Sequence, residues 1–586
     1  PNMAQKGIIK VSKTGEVFSS VTENEGVYQP VYEVQGLPGA VFEITALEDV
    51  YTLDGTLRYS AGEVVDTITT GEDGTAQSQP LYLGKFQVKE IQFPHGMVDT
   101  GENVTNVELV YAGQEVEVTE TSASFYNQRQ KALVTLDKVL EQDETFGIGM
   151  NGEISAVTFG LYAQEDITAA DGSVIPADGL LEIVSVNENG QAVCSTDLPF
   201  GSFYLKELST DSHYLLNGET FPFTFEYGGP SVAVVEISAN DGEAVTNELI
   251  RGEIKGLKTD ENGTGLGGAV IGLFKSDETE FTAENALATT TSADDGSFSF
   301  TNVPYGDWVL KELESPEGFI LSDEVIPVTV EEDGQVVEIS LANERVYGDL
   351  RLTKVDKDYP DNKLTGAEFE VYRDTNGNKE LDEGDELLGK LEETSTGIYE
   401  MSHILYGGVF VRETKAPEGF LLDENAYYVE ITENGKIYEV ENEAGIGFTN
   451  MAQTGSLRIE KTSSDGKVEG FSFRVTGANG YDQTFKTDKN GEIFIEGLRV
   501  GDYTVSEVSD GASANYVLPA DKKVTILADK TTVAQMHNEL RDTPKTGDDS
   551  KPWLWAALMG VSAMGAAALG VAAYVGKRKK DNHTAK

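Results

Sequence analysis

The stretch Val409–Phe420, V-F-V-R-E-T-K-A-P-E-G-F, has relatives at four other places in the chain, set apart by domain-sized intervals. Successive side chains of a strand point to opposite faces, so Val409, Val411 and Glu413 share one face, and two apolar members mark it as the buried one. Glu413 is thereby aimed into a core. The relatives keep that phase: Phe86, Val88, Glu90; Phe203, Leu205, Glu207; Trp308, Leu310, Glu312; Tyr503, Val505, Glu507. A carboxylate rarely occupies such a position without a partner.

About fifty to eighty residues before each Glu lies a strand ending in Lys, and alternation puts the Lys with the apolar residues: Ile9, Val11, Lys13; Val134, Leu136, Lys138; Leu350, Leu352, Lys354; Leu457, Ile459, Lys461. The third copy, Ile254, Gly256, Lys258, carries a weaker pattern. About thirty to forty residues after each Glu an apolar strand ends in Asn: Ala123, Phe125, Asn127; Val245, Asn247; Ile339, Leu341, Asn343; Ile446, Phe448, Asn450; Ala534, Met536, Asn538. An amine, a carboxyl and a carboxamide thus face a hydrophobic interior five times over. For one Lys or Glu alone an edge salt bridge is the simpler reading; all three in core phase and constant order argue against it.

The 586 residues are far too many for one core, and five units of roughly a hundred residues fit ordinary domain sizes. Asp+Glu 100 against Lys+Arg 44 leaves a net charge of -56, which argues against a nucleic-acid partner and for a self-repelling exterior. The single cysteine, Cys194, excludes an intrachain disulfide framework, so covalent stabilisation of an exported chain falls to other chemistry. The chain begins at Pro1 without a basic and apolar leader, and its start is read as a processed or truncated end.

Each unit opens with the Lys strand, then a second strand behind a small pair such as Gly39-Ala40, Ser155-Ala156, Gly268-Ala269, Gly366-Ala367 or Gly470-Phe471. A turn follows, as in Asp73-Gly74, Asn189-Gly190, Asp295-Gly296 and Asn490-Gly491. An apolar step ending in Gly84, Gly201, Gly306, Gly407 or Gly501 then leads into the Glu strand. Short alternating strands without a long amphipathic helix predict an all-β chain of five tandem Ig-like β-sandwiches, over 1–129, 130–249, 250–345, 346–452 and 453–541.

The stretches Glu413-Thr414-x-Ala416-Pro417-x-Gly419-Phe420 and Glu312-x-x-Ser315-Pro316-x-Gly318-Phe319 resemble the E-box of Gram-positive pilins, and the units resemble the SpaA-type or collagen-adhesin B-type prealbumin-like fold across about residues 5–540. Copy one keeps Pro94 and Gly96 after Glu90, whereas copies two and five lose the Pro-x-Gly after Glu207 and Glu507, so only their Glu carries over. The resemblance implies a spontaneous isopeptide bond between Lys and Asn in each unit, assisted by the Glu. The chemistry accounts for the three residue types. Burial lowers the pKa of Lys, freeing a nucleophilic amine, and raises that of Glu. A protonated Glu can polarise the carboxamide and pass a proton as ammonia leaves. The fold supplies proximity, worth up to roughly 7–11 kcal/mol of barrier, and the neutral product removes the cost of buried charge.

Copy four carries an insertion in which Asp374, Asn376, Asn378, Glu380, Asp382 and Asp385 bring oxygen side chains at spacings similar to an EF-hand calcium loop. Gly377 at the fourth place and Asp385 at the twelfth depart from that pattern, and a solvated acidic hairpin is the alternative. Gly263-x-Gly265-x-Gly267-Gly268 lies between two strands with no helix to follow, so it is a turn rather than a phosphate loop. The histidines His95, His213, His403, His537 and His583 are scattered and support neither a metal centre nor a hydrolase. No cofactor is expected apart from calcium in copy four.

After Asn538 the texture changes. Thr543-Pro544-Lys545-Thr546-Gly547 precedes a polar spacer, the uncharged segment 553–575 and the basic run Lys577-Arg578-Lys579-Lys580, all within 542–586. The uncharged segment is long enough to cross a bilayer as one transmembrane helix with its basic end cytoplasmic. The order is similar to the sortase sorting signal L-P-x-T-G of Gram-positive wall proteins, with Thr543 in place of Leu. The resemblance implies cleavage between Thr546 and Gly547 and transfer to a wall amine, while a plain single-pass anchor is the alternative. The expected role is a non-enzymatic, peptidoglycan-anchored stalk or adhesin at the cell surface, transiently membrane-inserted, with sortase and peptidoglycan as partners and a host matrix protein or pilus subunits as further ones. A basal or tip pilin, or the stalk of an enzyme whose catalytic domain lies upstream of Pro1, are the alternatives. Tyr359-Pro360-Asp361 lacks the lysine by which backbone pilins are joined.

Overall fold

The computed structural model describes residues 4–542. These residues are strands and turns with three one-turn 3-10 segments. They form two compact units divided between Arg345 and Val346; the first holds the first three modules, the second holds modules four and five.

Module three shows the plan. One sheet orders Ser297–Pro304, Arg251–Asp260 and Val336–Asn343, and the facing sheet orders Ala288–Thr291, Val270–Lys275, Gly306–Glu314 and Val325–Val330. Alternation along these strands turns Ile254, Ile271, Leu273, Leu310, Val330 and Leu341 into a shared core, each at most 1% exposed. Gly256 interrupts the apolar face of the Lys strand because its place is taken. A Cβ built there would lie 2.0 Å from the Phe298 ring, which fills the gap from the neighbouring strand.

In every module the Lys strand pairs in parallel with the Asn strand. Parallel neighbours need a long crossover, and here nearly the whole module is that crossover, so the first and last strands lie side by side. The register is constant. Lys13 stands opposite Phe125, Lys138 opposite Val245, Lys258 opposite Leu341, Lys354 opposite Phe448 and Lys461 opposite Met536, in each case two residues before the Asn. The facing sheet carries the Glu strand, with Glu90, Glu207, Glu312, Glu413 and Glu507 opposite Phe42, Phe159, Ile271, Phe369 and Phe473.

Module one departs from the plan of short strands. Its first strand, Lys6–Asn24, runs on beyond the sandwich and turns back as Val27–Gly36. Val27 pairs in parallel with Leu180, so the sheets of modules one and two are continuous. Phe18, Val21 and Tyr28 pack on the core of module two, burying apolar surface that module one alone would leave in water.

No helix among the described residues is long and apolar enough to cross a membrane. The expected helix over 553–575 and the sorting signal Thr543–Gly547 lie outside the described residues.

Candidate functional site

The structure brings the three predicted residue types together in all five modules. Lys13, Lys138, Lys258, Lys354 and Lys461 are at most 2% exposed, and the five Asn at most 3%. Glu90, Glu207, Glu312 and Glu413 are at most 2% exposed, while Glu507 reaches 8%. Lys and Asn come from one sheet and Glu from the other, so each triad bridges the sandwich.

One contact is common to all. The Asn Nδ2 donates to the Glu carboxyl: Asn127 to Glu90 at 3.3 Å, Asn247 to Glu207 at 2.7 Å, Asn343 to Glu312 at 2.9 Å, Asn450 to Glu413 at 2.8 Å and Asn538 to Glu507 at 2.6 Å. The carboxyl therefore sits beside the nitrogen that would leave as ammonia. The amine varies more. Lys13 Nζ donates to Glu90 at 2.8 Å, and Lys138 and Lys258 donate to the carboxamide oxygens of Asn247 and Asn343 while lying 3.8 and 3.1 Å from Glu207 and Glu312. Lys354 Nζ lies 3.2 Å from Glu413 Oε1, close enough for an ion pair but outside hydrogen-bond alignment, and 4.6 Å from the centre of the Phe448 ring. Lys461 instead donates to the Thr462 carbonyl at 2.7 Å, with its ammonium 4.4 Å from the Phe471 ring centre.

Burial sets the protonation states. It pushes Lys138 and Lys354 down to about 8, and holds Lys13, Lys258 and Lys461 below the usual lysine range. Burial likewise pushes Glu90 and Glu507 up, against the opposing pull of Lys13 and the Asn127 amide on the first and of the Asn538 amide and Lys461 on the second. A partly neutral amine next to a carboxyl that resists ionisation can exchange a proton at little cost.

The turn glycines place the lysine. Gly74, Gly190, Gly296, Gly397 and Gly491 each accept the backbone N–H of the module's Lys at 2.7–2.8 Å. Each has positive φ, a region glycine occupies without penalty. A Cβ on Gly296 would also meet the Lys258 carbonyl at 2.1 Å. Module four uses Gly397 in a Thr-Gly turn, outside the Asp-Gly and Asn-Gly pattern of the other modules.

Sequence pattern also misses the donors that hold the Glu. In modules two, three and four the carboxyl accepts a backbone N–H from the residue ten positions later, Asn217 to Glu207 at 2.8 Å, Ser322 to Glu312 at 2.9 Å and Asp423 to Glu413 at 2.9 Å, on the oxygen the Asn leaves free in modules two and three and on the same oxygen as Asn450 in module four. Backbone donors carry no side-chain signal, and only loop length hints at them. Two further acceptors steady the amide, Thr210 Oγ1 for Asn247 and the Leu421 carbonyl for Asn450.

The candidate calcium loop of module four does not present a set of free oxygens. Asp374 accepts the N–H groups of Gly377 and Lys379, Asp385 those of Thr375 and Asp382, and Asp382 that of Gly384 together with the amides of Asn376 and Asn378. Glu380 enters as a backbone donor to Asn378. No group of three or more His, Cys, Asp or Glu side chains that could hold a metal ion occurs among the described residues. Oxygens of Asp374, Asn376, Asn378, Asp382 and Asp385 accept hydrogen bonds from within the loop.

A tandem array of β-sandwiches with a buried Lys–Glu–Asn triad in each is thus the class that fold and site define. The model of the SpaA prealbumin-like fold domain matches residues 31–123, 252–345, 348–444 and 455–540, more than half of the chain, and the chain belongs to that family. Module two is outside the matched ranges although it carries the same triad. Similar solved structures include the Bacillus anthracis TIE protein, at 18% identity over 77% of this chain and 75% of that one with a TM-score of 0.39. The Bacillus cereus major pilin subunit BcpA follows at 14% identity over 58% and 100% with a TM-score of 0.26, and a streptococcal ancillary pilin at 17% over 55% and 99% with a TM-score of 0.22. No curated protein matches the chain.

Proposed function

We propose that this chain is a non-enzymatic stalk or adhesin of a Gram-positive cell surface, whose modules close themselves with Lys–Asn isopeptide bonds and which sortase joins to peptidoglycan. The observation that carries the reading is the fivefold recurrence of a buried triad in one register, with the Asn nitrogen always on the Glu. In each module the neutral Lys Nζ attacks the Asn Cγ, the Nζ–Cγ bond forms and the Cγ–Nδ2 bond breaks. The Glu takes a proton from Nζ and returns one to Nδ2, so that ammonia leaves and the Glu ends as it began. Permanently buried charge is thereby replaced by a neutral amide.

Family membership supports the surface role, and Pro544, Thr546 and Gly547 before an apolar segment and a basic end support wall attachment through the Thr546 carboxyl. Intact mass of the folded chain tests the crosslink. Each bond lowers the mass by about 17 Da, the mass of the ammonia expelled, and an undiminished mass in well-folded protein overturns the reading. Attachment is tested separately: Thr546→Ala should leave the chain out of the wall fraction without altering the mass lost to crosslinking.

A further inference from the structure

The five triads differ in how the carboxyl is held, and the difference follows the loop after the Glu. In modules two, three and four the loop returns a backbone N–H to the carboxyl ten residues on, from Asn217, Ser322 and Asp423. Both carboxyl oxygens of Glu207 and Glu312 are then engaged, one by the loop and one by the Asn amide, and in module four Oε2 of Glu413 takes both donors while Oε1 faces Lys354. In modules one and five no such loop donor arrives; Glu90 Oε1 and Glu507 Oε2 are buried without a hydrogen bond, as is Glu413 Oε1 in module four, so the missing loop donor and not the unbonded oxygen sets modules one and five apart.

The loop after Glu90 is engaged elsewhere: Met97–Val98 pairs with Arg129 and Gln128, the Met97 carbonyl accepts from Tyr227, and Asp99 N donates to Pro230 of module two. The segment after Glu90 is thus held by the last strand of module one and by module two. In module five, Glu507 is also the most exposed of the five, and its Lys461 has turned to the Thr462 carbonyl.

We infer that the returning N–H groups of Asn217, Ser322 and Asp423 are positioning groups for isopeptide formation, dividing the chain into three fast-closing modules and two slow ones, the first and the fifth. The inference rests on the proposed self-crosslinking. The physical ground is preorganisation. A carboxyl anchored by the loop N–H cannot rotate away from the amide, whether the Asn Nδ2 takes the other oxygen, as in modules two and three, or shares the anchored one, as in module four. Glu90 and Glu507 lack this backbone anchor: the hydrogen bonds to them come from side chains, Lys13 and Asn127 to Glu90 Oε2 and Asn538 to Glu507 Oε1, and burial raises the pKa of both.

The test follows crosslinking of the full chain after cell-free synthesis, with samples quenched in acid, digested, and the crosslinked peptide of each module quantified by mass. Modules two, three and four are expected to close at least about tenfold faster than modules one and five, as loss of one well-placed hydrogen bond to a charged group would give. Ser322→Pro removes the donor and should slow module three to the rate of module five, with modules two and four as internal controls. Ser322→Ala keeps the N–H and should leave the rate unchanged. One common rate for all five modules, or equal slowing by Ser322→Ala and Ser322→Pro, overturns the inference while leaving the crosslink standing. The comparison among unaltered modules needs no substitution, so a misfolded Ser322→Pro does not rescue it. Absence of any crosslinked peptide removes the inference together with the reading beneath it.

Discussion

Modules three and five carry the same three side chains in the same strand phase and differ in how those side chains meet. In module three Lys258 reaches the Asn343 oxygen and lies 3.1 Å from Glu312, whose other oxygen is held by the loop. In module five Lys461 points to its own strand, and one oxygen of Glu507 has no hydrogen bond. Residue identity places the reactants in one core, whereas the loop and the local backbone decide whether they are aligned. The Pro-x-Gly signature does not track this. Module one has Pro94 and Gly96 but no returning donor, and module two lacks the signature yet has Asn217.

The comparison can be broken most decisively at the acid. Glu312→Gln should slow closure of module three by about 100-fold or more, the range lost with a general acid–base group. Glu507→Gln should change module five far less, and peptide mapping of crosslinked products reads both. Equal effects would mean that the two carboxyls do the same work despite their different settings.

Next in size is the amine. In a module three kept open, Lys258→Ala leaves Glu312 buried without its cation and should cost about 3–5 kcal/mol. In an open module five, Lys461→Ala removes an ammonium that donates to a carbonyl and lies over a ring, and should cost about 1–3 kcal/mol. Denaturant melts of the full chain, with limited proteolysis to identify the module that opens, measure the pair.

A pH series sharpens the contrast between closed and open modules. Asn450→Ala blocks the bond and leaves Lys354 free to titrate, near about 8 in the folded module against 10.5 unfolded. The folded state then binds fewer protons between those values, so stability rises as pH climbs through that window and is lowest below it. The total change is about 3 kcal/mol. A crosslinked Lys354 carries an amide nitrogen and should lack this rise, which melts across the window would show.

The smallest effect expected is at the turn. Gly296→Ala places a Cβ at φ 83° and against the Lys258 carbonyl, and should destabilise module three by about 1–3 kcal/mol. Module one should respond similarly to Gly74→Ala, because the same turn supports Lys13 there. Thermal melts and crosslink yield check both.

The strand period made much of this legible, because burial of alternate residues is written in side chains: Val409, Val411 and Glu413 are at most 2% exposed. Gly256 shows the limit, since the ring of Phe298 completes the face from another strand. The junction of Val27 with Leu180 and the donors at Asn217, Ser322 and Asp423 are backbone contacts. Any residue but proline can supply them, so no residue pattern announces them. The acidic loop of module four has ligand-like spacing, but spacing does not say whether oxygens face an ion or their own amides.

The side-by-side, same-direction arrangement of first and last strands has a mechanical corollary. The polypeptide enters a module at one pole and leaves from the other, so a pull on its two ends slides these strands lengthways past each other. In module three the contacts from Glu253–Val336 through Asp260–Asn343 would then share the strain at once rather than unzip singly. Even before any covalent closure, each sandwich meets stretching in shear, the direction in which a ladder of weak contacts is hardest to rupture.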